Sequence, residues 1–119
     1  MRTPFRVWLV IAAMLAFALP AQAQAQDYPY RPVRIIAPNP PGGGFDFIAR
    51  VTAPKLGELL NQQVVVENRT GAGNMIGYEF VAKSPPDGYT MLSAVSTLAI
   101  HPMTYKKLTY DALRDFDPI

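Results

Sequence analysis

The sequence predicts an α/β fold on an open parallel sheet, and three observations carry that prediction. Short β-branched runs alternate with longer stretches of helical period. Each run is separated from the next by enough chain for a crossover helix. Loops rich in glycine or proline follow the first two runs. A strand, helix, strand order favours parallel pairing through right-handed crossovers, and such sheets gather loops at the carboxyl ends of their strands.

The first residues stand apart from this pattern. Arg2 and Arg6 form a basic start, and Val7 to Leu19 is an uncharged apolar run. About thirteen helical residues rise roughly 20 Å, short of the ~30 Å hydrocarbon core of a bilayer. Pro20 ends the run, and Ala21-Gln22-Ala23 followed by Ala25 offers small residues for cleavage after Ala23 or Ala25. Residues 1–23 are therefore expected to be a secretory signal peptide, which places the mature chain in the periplasm.

The remaining elements follow in order. Asp27 to Pro32 is an extended leader held by two prolines, and Val33 to Ala37 is a buried strand. From Phe45 the period becomes helical: Phe45, Ile48, Ala49, Thr52, Leu56 and Leu59 mark one face, expected to turn inward, with a kink or break at Pro54. Val64 to Asn68 is the second strand. Asn74 is expected to cap a helix from Met75 to Lys83 with Ile76 and Phe80 on its inner face, and Gly77 to permit close packing on the sheet. Pro85 to Gly88 is a turn, Tyr89 to Val95 the third strand, and Ser96 to Tyr105 a loop entering a short helix. The exit from Leu108 to Ile119 is irregular. Residues 24–119 are expected to be the N-terminal portion of a longer chain, since Asp117-Pro118-Ile119 ends without a closing polar tail.

Charge and cysteine content exclude several classes. The net charge of +2 resides in Arg2 and Arg6, so the expected mature chain carries nine bases and nine acids. No basic stripe remains for nucleic acid. The absence of cysteine rules out a disulfide framework, so a packed core must stabilise the fold.

The most informative segment is Pro40-Pro41-Gly42-Gly43-Gly44-Phe45-Asp46. Glycines before a helix start let a ligand approach the backbone, where the first N–H groups have no helical partner and the helix dipole is positive. The segment suits a carboxylate or other anion without needing a lysine; a plain glycine-rich turn is the alternative. Asp46 is favoured in a first turn by the dipole alone, or could accept from a ligand ammonium, hydroxyl or bridging water. Ser96 and Thr97, at a strand end, read as hydroxyl donors to a ligand or as a helix cap. Gly71 to Gly77 spaces its glycines G-x-G-x-x-x-G, which departs from the dinucleotide fingerprint. There is no G-x-S-x-G elbow and no metal-ligand cluster, and His101 has no sequence neighbour to orient it as a base. No cofactor or metal is implied.

These residues carry a resemblance. Pro32-Val33-Arg34-Ile35-Ile36, Pro40 to Asp46, Val64 to Arg69, Gly71-Ala72-Gly73, Val81-Ala82-Lys83, Pro86 to Thr90 and Tyr105 to Leu108 resemble, in order and spacing, the periplasmic substrate-binding receptors of tripartite tricarboxylate transporters, the Bug family. The resemblance implies a two-lobed type II periplasmic binding protein fold, of which this chain supplies part of one lobe. It implies a monomer that binds a small organic carboxylate, partly through ordered waters, and passes it to inner-membrane permease subunits. Carried over, the ligand residues are Gly42, Gly43, Asp46, Ser96 and Thr97, with Gly44 from the same loop. The chain departs from the family at Asn39, often aromatic, at Thr70, commonly proline, and at His101, usually asparagine. Phe45 and His101 are thus the residues expected to alter ligand choice. An exported α/β enzyme with catalytic partners further along the chain, or a truncated product without function, are the alternative readings.

Overall fold

The computed structural model describes residues 27–119, so the expected signal peptide lies outside the described residues. Strand β1 (Val33–Ala37) is followed by helix α1 (Gly44–Leu60), strand β2 (Val64–Asn68), a 3₁₀ turn (Ala72–Asn74), helix α2 (Met75–Ala82), strand β3 (Thr90–Leu92) and helix α3 (Thr97–Thr104). The sheet is parallel, in the order β2-β1-β3. Val33 pairs with Val64 and Ile35 with Val66 on one side; Arg34 pairs with Thr90 and Ile36 with Leu92 on the other. The central position of β1 explains its composition: Val33, Ile36 and Ala37 are fully buried. β3 is shorter than the run from Tyr89 to Val95, because after Ser93 N–H donates to Ile36 O (2.9 Å) the chain leaves the ladder toward α3.

Alternation along the strands divides the core in two. Ile35 packs with Ala49 and Ala53 of α1, joined by Leu56, Val64, Val66 and Met91. A second cluster joins Tyr78 of α2, Val95 and Tyr110, with Leu92, Leu98 and Phe116 packed against it. The irregular exit thus contributes to the core through Tyr110 and Phe116.

Both helix faces differ in part from the expected ones: Ala49 and Leu56 of the expected α1 face do join the core, but others do not. On α1 the buried residues are Asp46, Ala49 and Ala53, whereas Phe45, Ile48 and Leu59 are 40%, 56% and 76% exposed. The helix turns its small residues to the sheet, and a hydrogen-bonded Asp46 takes an inward position that hydrophobicity would have denied it. Pro54 does not break α1, which continues to Leu60. Pro54 and Arg50 are both exposed, so the carbonyl of Arg50 deprived of its helical donor stands on the solvent side. On α2 the buried pair is Gly77 and Tyr78; Ile76 is half exposed, and Phe80 lies under the Arg69 guanidinium, 3.7 Å from its ring centre. The expected role of Gly77 holds: a Cβ there would sit 2.9 Å from both Arg69 O and Pro38 Cβ. Asn74 does not cap α2; it adopts a left-handed conformation with φ 78° and its side chain points elsewhere.

Candidate ligand-binding site

The turn from β1 into α1 is built around one buried carboxylate. Gly42, at φ +84°, reverses the chain so that its N–H donates to Asp46 Oδ2 (2.9 Å). Arg50, one helical turn on, donates from Nε to both Asp46 oxygens (3.0 and 2.9 Å). Asn68, at the end of β2, donates from Nδ2 to Asp46 Oδ1 (2.8 Å) and to Asn39 O (2.9 Å), and accepts from Arg50 Nη2 (2.9 Å). These contacts hold the Asp46 carboxyl down at about 2, the Arg50 hydrogen bond contributing most, then the Gly42 N–H and Asn68. They also fill the carboxylate's roughly four acceptor positions. Asp46 is therefore a strut that ties the loop to two strand ends, with no lone pair left for a ligand ammonium or hydroxyl.

The backbone donors are placed one step further along than expected. The N–H of Gly42 is committed to Asp46 and that of Gly43 to Pro40 O (3.2 Å), so neither is a free backbone donor among the described residues. The N–H groups of Gly44, Phe45 and Asp46 head α1, and none makes a hydrogen bond among the described residues. No side chain caps the helix, and the space above Gly44 is open. Nearby, Asn39 Oδ1 is enclosed without a donor. Phe45 is partly exposed at the helix start, and its carbonyl faces Ser93 Oγ at 3.5 Å, which links this turn to the end of β3.

Beyond β3, the three expected residues at and before α3 have different surroundings. Ser96 precedes the helix, makes no side-chain cap and is exposed. Thr97 Oγ1 accepts from Asn74 Nδ2 (3.1 Å) and lies 2.7 Å from Tyr78 Oη, so its hydroxyl joins α3 to α2. His101 is 4% exposed, with Nδ1 2.7 Å from Tyr110 Oη and edge contacts to Tyr78 and Tyr105. It is thus oriented by a tyrosine nine residues on, outside its immediate sequence neighbours.

Arg50 was legible as the i+4 partner of Asp46, but Asn68 and Tyr110 meet the site only through strand register and the path of the exit. Two shallow depressions of about 570 and 560 Å³ lie elsewhere, one against α2 at Arg34, Arg69 and Phe80, the other between α1 and β2. The arginines of the first are engaged already: Glu67 pairs with Arg69 at 2.7 Å and with Arg34 at 3.7 Å. Among the described residues there is no cluster of three or more metal-ligating side chains, and no helix is long and apolar enough to cross a membrane.

Comparison with known proteins agrees with this architecture. Protein BugT of Bordetella pertussis is 43% identical over 117 residues, covering 96% of this chain and 36% of BugT. The periplasmic binding protein BugD superposes with a TM-score of 0.72 at 39% identity, over 77% of this chain and 31% of BugD. MatC from Rhodopseudomonas palustris, solved with bound malate, superposes with a TM-score of 0.66 at 30% identity, over 76% of this chain and 31% of MatC. The chain thus spans about a third of the length of the relatives it matches. The family described as tripartite tricarboxylate transporter family receptor matches residues 48–119. The chain belongs to that family of solute-binding receptors.

Proposed function

We propose that this chain forms the N-terminal part of the first lobe of an exported receptor that captures a small carboxylate and delivers it to the permease subunits of its transporter. The observation that carries the reading is the start of α1: three free backbone N–H groups at the positive end of a helix, held open by the Asp46–Arg50–Asn68 strut. A carboxylate seated there gains hydrogen bonds and dipole attraction without a lysine. Ser96, exposed just before α3, adds a hydroxyl, and ordered water completes the contacts. Thr97 supports the site by holding α3 to α2. The bound malate of MatC favours a small dicarboxylate as the first candidate. Residues 1–23 act as the signal peptide, cleaved after Ala23 or Ala25, and the receptor works as a periplasmic monomer without cofactor and without catalysis.

Calorimetric titration of the protein expressed from its whole reading frame tests this, using mono-, di- and tricarboxylates with malate first. Saturable one-to-one binding of at least one acid is expected. A folded protein that binds none of them would overturn the reading.

A further inference from the structure

His101 and Tyr105 present a pair of hydrogen-bond donors that nothing within the fold uses. Tyr110, 6% exposed, places its hydroxyl 2.7 Å from His101 Nδ1 and makes no other hydrogen bond among the described residues. If Nδ1 carried the proton, it would donate to the phenol oxygen and the phenol's own hydrogen would be buried without an acceptor. That arrangement costs a hydrogen bond, whereas Tyr110 O–H donating to a bare Nδ1 satisfies both groups. Burial, with Tyr78 and Tyr105 adding to it, pushes the Tyr110 hydroxyl up to about 12, so the phenol keeps its hydrogen. The imidazole hydrogen then resides on Nε2. Among the described residues the only enclosed side-chain polar atom without a partner is Asn39 Oδ1; Nε2 of the buried His101 therefore reaches solvent.

Nε2 and the Tyr105 hydroxyl converge on one point. A Cβ on Gly73 would lie 3.4 Å from Tyr105 Oη and 3.9 Å from His101 Nε2, and Tyr105 Oη has no hydrogen bond of its own among the described residues. The notch is open because residue 73 has no side chain. Gly73 follows β2 and α3 follows β3, so the notch belongs to the same carboxyl edge of the sheet as the start of α1.

We propose that the His101 Nε2–H and Tyr105 O–H donors form a second polar subsite, one that takes an acceptor oxygen at the far end of the ligand. This rests on the carboxylate-receptor reading and narrows it. The preferred substrates are acids with a second oxygen function, such as dicarboxylates or hydroxy and keto acids, rather than simple monocarboxylates.

Titration of the whole-reading-frame protein with succinate and butyrate, matched in length, reads the subsite directly. Succinate should bind the wild type more tightly, and exposed Tyr105→Phe should reduce that preference roughly tenfold, with His101→Phe doing the same. Should His101→Phe fail to fold, ¹⁵N spectra of the wild-type imidazole stand in for it: hydrogen on Nε2 supports the subsite, and hydrogen on Nδ1 overturns it. An unchanged succinate preference in Tyr105→Phe overturns the subsite while leaving the receptor reading intact. A wild type that binds neither these nor any other acid removes both.

Discussion

The two ends of the candidate site hold their polar groups in opposite ways. At the start of α1 a buried carboxylate is matched on every side by the chain itself, and only backbone N–H groups face outward. At α3 a buried imidazole is matched on one side only, by Tyr110, and turns its other nitrogen to solvent. The first end is charged within and offers main-chain donors that no substitution other than proline removes. The second is aromatic, and offers side-chain donors that substitution can change. On the proposed reading, the backbone end would take the carboxylate common to the ligands and the side-chain end would tell one acid from another.

Breaking the charged end should have the largest effect. Asp46→Ala leaves Arg50, Asn68 Nδ2 and the Gly42 N–H without their shared acceptor, and a fall in melting midpoint on the order of 10 °C is expected. A scanning calorimetry midpoint within two or so degrees of wild type would show that the strut is dispensable. Gly77→Ala comes next, because its methyl would meet Arg69 O and Pro38 Cβ at 2.9 Å. Overpacking of that kind costs about 1–3 kcal/mol in urea denaturation. At the aromatic end, Tyr110→Phe removes the donor to a buried Nδ1, and a loss of about 1–2 kcal/mol is expected. Equal stability of Tyr110→Phe and wild type would contradict the oriented imidazole.

The smallest effect is one that neutral pH does not show. The Asp46 carboxyl is held at about 2, below its ordinary 3.8. Between those values the unfolded chain binds more protons than the folded one, so stability rises with pH across that interval. The contribution is complete above the ordinary value and is lost as pH falls through about 2. Acid denaturation of Asp46→Asn should lack this component of the slope; an unaltered profile would place the acid sensitivity in other carboxylates.

Element order was legible in the sequence because period and punctuation are local properties. β-branched runs gave the strands, and Pro40 to Gly44 marked the entry to α1. The inward faces were legible only in part, through Ala49 and Leu56, for a physical reason. Ile48 is more apolar than Ala49 or Ala53, but a helix lying close over a sheet needs small side chains at the contact, and that need appears only once the layers meet. Ile76 and Phe80 misled in the same manner, since Gly77 gives the close approach and Phe80 is covered by arginine. The turn before α1 was legible as a helix start with unpartnered N–H groups, yet which groups stay free depended on Asp46 folding back to Gly42. The orientation of His101 depended on Tyr110, in a segment whose sequence has no regular period.

A crystal structure of the whole-reading-frame receptor with a bound dicarboxylate is the most direct measurement. Capture at the start of α1 requires one carboxylate oxygen within about 3 Å of the N–H groups of Gly44, Phe45 or Asp46. A ligand carboxylate held instead by Arg34 and Arg69, with the start of α1 facing only water, would contradict it.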